Sequence, residues 1–497
     1  MPTACQKITP ARRRIALRAS IAFVCLLLAG GVAAAQDVQA SLRVLALTPP
    51  RISVEGRRDK ATTKWSFRTT YAGLLGLGAR IEQLTLGDAQ GAPVAVRQLA
   101  PGEYEAAQAA VSFRYEVKLD PPVADADAAH VSWLTPERGI LMPGDLLPLP
   151  AARAQLRLAL PAGWQSAALE GPGAGGTYEL AQAGASVILV GRGVRQRAGR
   201  AGALTFTLAS DGDWAFADED AAHIMQEILQ EYVRATGAVP RKNVLVVIAP
   251  FPRAVPAHVW SAETRGGTVL MLTGRAPSKN SALAQLSMPL AHELFHLWVP
   301  NGLTLAGDYD WFFEGFTLYE SVRAGVRLGY LSFQNYLDNL ALAFNRTNSA
   351  RASAGLSLLE ASRRRWSDPT AAVYHRGMLA AYLYDLSVRQ QTGGKRSIDD
   401  VYRALFHQGR TSGAERAGNE VVLEAMNAVA GGPALTELYI KGSSDFDLAR
   451  TLAPFGLQVA AIGASTRISV APQLNRAQRD LLKQIGYNEA ASRGHSK

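Results

Sequence analysis
The stretch that most constrains this chain is residues 291–320, AHELFHLWVPNGLTLAGDYDWFFEGFTLYE. It opens with His292-Glu293-Leu294-Phe295-His296. On a helix, positions i and i+4 share a face, so both imidazoles can reach one metal ion. Glu293 follows the first histidine and projects beside that ion, where a carboxylate can take a proton from an activated water. A zinc centre of this kind needs a third protein ligand and an open fourth position. Glu314, within Trp311-Phe312-Phe313-Glu314-Gly315-Phe316, is the candidate, because an unpaired carboxylate among so many apolar side chains is costly. With 8 histidines and 42 acidic residues in 497, chance places the five-residue motif about 0.01 times per chain. A core helix carrying two solvated histidines is the weaker reading.

The chain is long enough for two to four domains. Its 48% apolar and 19% charged content marks it as globular rather than disordered. Arg12, Arg13, Arg14 and Arg18 precede an apolar run at 21–29 and then Ala33-Ala34-Ala35, the pattern of a signal peptide cleaved after Ala35. The expected location is a bacterial periplasm or the exterior, with an ordinary export signal preferred over a twin-arginine one. No later stretch reaches the length of a membrane span. Residues 1–35 carry Lys7 and the four arginines and no acidic residue, so the total charge of +10 falls to about +5 without them. That value argues against a dedicated nucleic-acid binder. Cys5 and Cys25 both lie in this leader, so the exported chain is expected to have neither thiol nor disulfide.

The periodicity along the chain predicts an α+β multidomain protein. From 36 to 208 the period is two, with Val111, Phe113, Tyr115 and Val117 on one face, as in an antiparallel β domain. His130 stands alone there and reads as a surface or strand histidine. Residues 209–300 read as a small α/β part. A helix ends at Gly237, and buried strands follow at 244–248 and 268–272. The motif helix either starts near Ser287 or is kinked at Pro289. Residues 301–457 read as mainly helical, with Ser332 and Ser397 as helix caps. The run Arg363-Arg364-Arg365 reads as a solvated face. Residues 458–497 read as a short polar tail.

The motif HELFH, then FFEGFTLYE, then Tyr374-His375-Arg376-Gly377 together resemble the gluzincins, whose catalytic domain is thermolysin-like. Within them the chain is most similar to the glycyl aminopeptidase family, through His296-Leu297-Trp298, Gly315-Phe316-Thr317 and the segment 377–405. The resemblance spans about 244–457. It implies zinc as cofactor, one ion per chain, with His292, His296 and Glu314 as ligands and Glu293 as base. It implies that Tyr374 hydrogen-bonds the oxyanion of the tetrahedral adduct, as a phenol donor can. It also implies that Glu263 binds the free amino group of a peptide substrate. The chain departs from the family where Gly-Gly-x-Glu-His is replaced by Trp260-Ser261-Ala262-Glu263-Thr264, and where His375 follows the tyrosine. The PDZ domain common in the family is expected to be missing. The expected activity is that of an exported zinc aminopeptidase. The alternatives are an endopeptidase or other amide hydrolase on the same site, and a metal-binding scaffold without catalysis.

Overall fold
The computed structural model describes residues 37–349, 355–365, 372–409, 416–444, 446–463 and 465–488. The expected leader lies outside them. The alternating residues of the first part build one large twisted sheet, in the order Thr177–Leu180, Arg153–Ala159, Asp37–Leu47, Pro50–Ser66, Glu103–Lys118, Ile81–Gly87 and Pro93–Val94, with Val96–Ala100 also paired to Glu103–Lys118. Its buried face carries Val38, Leu42, Ile52, Val54, Trp65, Phe113, Tyr115 and Val117. The sheet is antiparallel except that Asp37–Leu47 runs parallel to Arg153–Ala159. A smaller four-stranded sheet contains Arg138–Leu141 and Ile188–Gly191.

A five-stranded mixed sheet follows, ordered Arg195–Ala201, Leu204–Ser210, Asn243–Pro250, Thr268–Thr273 and Trp260–Arg265. The helix Asp218–Thr236 is the crossover between the parallel strands Leu204–Ser210 and Asn243–Pro250. It stops at Gly237, whose φ of 65° a side chain would resist. The hairpin 195–210 therefore belongs to this sheet, and the expected boundary at 208 moves towards the N-terminus. Alternation cannot show which sheet a strand joins. Both faces of this sheet are covered. Val244, Val246, Ile248, Val269 and Met271 pack into the helical core, while Leu245, Val247, Leu270 and Leu272 pack on Trp133, Ile140 and Leu189 of the small sheet. Burial on two sides explains the unbroken apolar runs.

The motif helix is Lys279–Phe295, capped by Ser278 and Ser281 with Pro289 inside it, so the longer of the two expected helices is the real one. Tyr232 Oη of the crossover helix donates to Ala291 O at 2.6 Å and pins it. The helices Thr317–Arg327, Phe333–Ser349, Gly377–Gln391, Ile398–Gly409 and Gly418–Ala430 complete the core. The last segment is not an irregular tail. A hairpin, Leu457–Ile462 with Ser465–Val470, and a helix, Arg476–Gln484, bury Leu457, Ile468, Leu481, Leu482 and Ile485 in the main core. Few apolar residues suffice because the surface that receives them already exists.

Candidate metal centre
The helix Lys279–Phe295 ends at the site, with His292 in its last turn and His296 one residue beyond it. Its negative dipole end therefore points to where a cation is needed. Glu314 comes from a π-helical turn, Trp311–Phe316, and Tyr374 from a second one, Ala372–Arg376. Such turns are frequent at functional sites. The two are joined at their backbones. A Cβ on Gly315 would lie 2.5 Å from Gly377 Cα, and one on Gly377 would lie 2.8 Å from Trp311 O. Only glycine permits that approach, and it sets Glu314 and Tyr374 side by side.

His292 Nε2 lies 3.1 Å from His296 Nε2, and Glu314 Oε2 lies 3.5 Å and 3.4 Å from these two atoms. Three donors bonded tetrahedrally to zinc at about 2.0–2.1 Å stand about 3.3 Å apart, so the triangle fits the ion. His296, Glu293 and Glu314 are only 8%, 6% and 7% exposed. Glu314 Oε2 is buried, and its nearest polar neighbours are the two imidazole nitrogens at 3.4–3.5 Å, beyond an ordinary hydrogen bond. A buried carboxylate oxygen without a partner is expensive, and a shared cation removes that cost. His296 Nδ1 is 2.9 Å from Val299 O, which leaves Nε2 to face the ion. The electrostatics agree. Burial pulls the His296 imidazole down, yet Glu314 and then Glu293 push it up to about 9. Burial pushes Glu314 up, but contact with His292 and His296 holds it well below the usual carboxylate range. The pocket favours positive charge at this spot.

Glu293 stands next to this triangle, and its Oε2 accepts from Thr264 Oγ1 at 2.8 Å. The same Oγ1 is also 2.8 Å from Glu293 O, so its one hydrogen is shared between the two oxygens. Thr264 lies on the edge strand Trp260–Arg265, so the strand orients the carboxylate. The Tyr374 ring lies 6.4 Å from the His292 ring, near-parallel to it. Burial first, then the charge of Glu314, pushes its phenol well above the ordinary value, so it keeps its proton. The site opens into a cleft of about 930 Å³, lined by Trp260, Met288, Pro289, Leu318 and Val322 beside His292 and Tyr374. His375 also lines it, 3.4 Å from Arg346 Nη1, and burial and then that cation push its imidazole down to about 4.

The architecture is shared with solved structures. An aminopeptidase N family protein from Idiomarina loihiensis is similar over 85% of this chain and 79% of its own, at 17% identity and a TM-score of 0.72. An M1 zinc metallopeptidase from Deinococcus radiodurans, bound to a Tyr-Ser-Ala substrate, is similar over 82% of this chain and 94% of its own, at 15% identity and a TM-score of 0.51. The chain therefore shares the fold of these two structures. No family model and no curated protein matches the sequence.

Within this fold, the three ligand candidates, Glu293 and Tyr374 come together. Glu263 takes another direction. Along the edge strand, Trp260 lines the cleft and Thr264 meets Glu293, whereas Ser261 reaches Ala126 O and Glu263 reaches Tyr71 and His130. Tyr71 Oη donates to Glu263 Oε1, and His130 Nδ1 is 3.0 Å from Oε2. Arg265 Nε lies 3.9 Å from Oε1. His130 is thus not a lone strand histidine: the fold brings it to a carboxylate 133 positions away. Arg365 is likewise not part of a solvated face. It binds Asp310, Glu314 and Tyr374. Thr264 and Arg365 escaped the sequence reading because their partners lie in other elements. The one available signal was the nine-residue distance from Arg365 to Tyr374.

Proposed function
We propose that this protein is an exported zinc metallopeptidase that removes residues from the amino-terminal end of peptides, with one ion per chain held by His292, His296 and Glu314. The observation that carries this reading is the triangle of three ligand atoms at 3.1–3.5 Å with Glu293 and the Tyr374 ring beside it. Zinc in such a site polarises a carbonyl and lowers the pKa of water. Glu293, held by Thr264, takes the proton from the attacking water and passes it to the leaving amine. Tyr374 stays protonated and donates to the oxyanion as charge develops there. Trp260 lines the cleft at a position where the glycyl aminopeptidase family has glycine, so a strict preference for glycine is not part of the proposal. A peptide substrate accords with the Tyr-Ser-Ala complex of the Deinococcus relative. Export rests on the leader sequence.

Glu263 is the weakest link to amino-terminal cleavage, because Tyr71 and His130 already occupy its oxygens. That observation favours a second reading, an endopeptidase or amide hydrolase with the same chemistry. Rates for one peptide in free and acetylated form, with wild type and Glu293→Gln, separate the two. An aminopeptidase cleaves only the free form, and Glu293→Gln lowers kcat by about 100- to 10,000-fold while retaining metal. Equal cleavage of both forms moves the second reading to the front. Equal rates for wild type and Glu293→Gln remove both.

A further inference from the structure
Arg365 is oriented into the site rather than into solvent, with its side chain 13% exposed. Its Nη1 donates to Asp310 Oδ1 at 2.5 Å. Its Nη2 donates to Glu314 Oε1 at 2.8 Å and to Tyr374 Oη at 3.1 Å. The guanidinium lies 5.6 Å from the Phe313 ring centre and 5.7 Å from that of Tyr374. One rigid planar group therefore touches the acid that precedes the Glu314 turn, the metal-ligand candidate itself and the phenol. The turn is fixed from the same side by Trp311 N, which donates to Ser362 Oγ at 2.8 Å.

We infer that Arg365 is a positioning residue that makes Glu314 a one-oxygen ligand and turns the Tyr374 hydroxyl hydrogen away from the guanidinium, toward the side where Glu314 and the cleft lie. This rests on the metallopeptidase reading above. A carboxylate has two equivalent oxygens and can bind an ion through one or both. Here a charge-assisted hydrogen bond occupies Oε1. Oε2 alone faces the imidazoles and has no hydrogen bond of its own. Ligation through one oxygen leaves a four-coordinate ion with an open position, which a catalytic site requires. The argument for Tyr374 concerns its single hydrogen. A phenol oxygen that accepts from Arg365 must turn its O–H away from the guanidinium. The directions left are the Glu314 side and the cleft, which is where the oxyanion forms. Lysine cannot replace this group fully, because a point charge lacks the planar fork that spans Asp310, Glu314 and Tyr374 at once.

The test uses the full chain loaded with cobalt(II), whose visible absorption reports coordination number, together with kinetics on the zinc form. Arg365→Met keeps the bulk and removes the donors. Expected are a weaker, five-coordinate cobalt spectrum and a kcat about 100-fold lower with KM within about threefold. Arg365→Lys should recover part of both. In a Tyr374→Phe background, Arg365→Met should cost clearly less than it does alone, because part of its effect passes through the hydroxyl. An unchanged cobalt spectrum and kcat in folded Arg365→Met overturns the inference, as does full additivity with Tyr374→Phe. If Arg365→Met does not fold, Arg365→Lys with a wild-type spectrum and kcat overturns it equally. Wild type that binds no cobalt and cleaves nothing refutes the metallopeptidase reading instead.

Discussion

Tyr374 offers the sharpest residue-scale expectation. On the function proposed above, its hydroxyl serves the transition state, while the ring packs beside His292 with or without the oxygen. Tyr374→Phe should lower kcat by about 100-fold and leave KM nearly unchanged. Because burial and Glu314 push the phenol up, wild type should show no loss of rate from phenol ionisation near pH 10, the ordinary tyrosine value. A rate–pH profile that falls there with a tyrosine-like midpoint would contradict the assigned environment. At this scale the sequence is informative where cost is local. Glu314 stands out because its immediate neighbours are aromatic, and His292 and His296 because their spacing matches a helix. Arg365 does not stand out, since its burial is decided by the turns at 311–316 and 372–376, and the local run Arg363-Arg364-Arg365 matches an exposed face.

At the scale of elements, the site depends on two π-helical turns meeting at Gly315 and Gly377. Gly377→Ala places a methyl against Trp311 O at 2.8 Å and forces the turns apart. The expected cost is about 1–3 kcal/mol in urea unfolding, with activity lost by more than that change explains. The helix that continues from the Glu314 turn, Thr317–Arg327, carries a buried ionic cluster. Arg323 Nε is 3.1 Å from Glu320 Oε2, and its other nitrogens meet Asp385 and Asp399. Burial, outweighing the attraction of Arg323, pushes Glu320 up to about 7. The sign follows from linkage. Below about pH 4.5 the carboxyl is protonated both folded and unfolded, and it has no effect. Between about 4.5 and 7 the unfolded chain ionises first, so stability falls as pH rises and stays lower above 7. Glu320→Gln should therefore gain stability over wild type as pH rises from about 4.5, with the full gain above 7 and none at pH 4; unfolding midpoints at pH 4, 6 and 8 would show it. A gain already complete at pH 4 would refute the raised value. Caps were legible at this scale, since Ser332 and the Ser397–Asp400 pair do start helices. The C-terminal hairpin and helix were not, because their stability comes from the core that they cover.

Across the whole molecule, the large β domain serves the catalytic part through Tyr71. Its ring lies 4.8 Å from the Arg68 guanidinium and 4.5 Å from that of Arg265, and its hydroxyl reaches Glu263 on the edge strand. Through Thr264 the same strand holds Glu293. A β part followed by a mainly helical part was readable from period and motif. This contact was not, because it joins residues 192 positions apart with no local pattern. All of it serves one claim, that a single ion at His292, His296 and Glu314 makes the protein a peptidase. The most direct measurement is to strip the metal from the full chain and titrate zinc back while following peptide hydrolysis. Activity should rise linearly to a plateau at one equivalent per chain, and Glu314→Ala should neither retain the ion nor recover activity. Hydrolysis that survives metal removal, or a Glu314→Ala variant that binds and cleaves like wild type, would contradict the account.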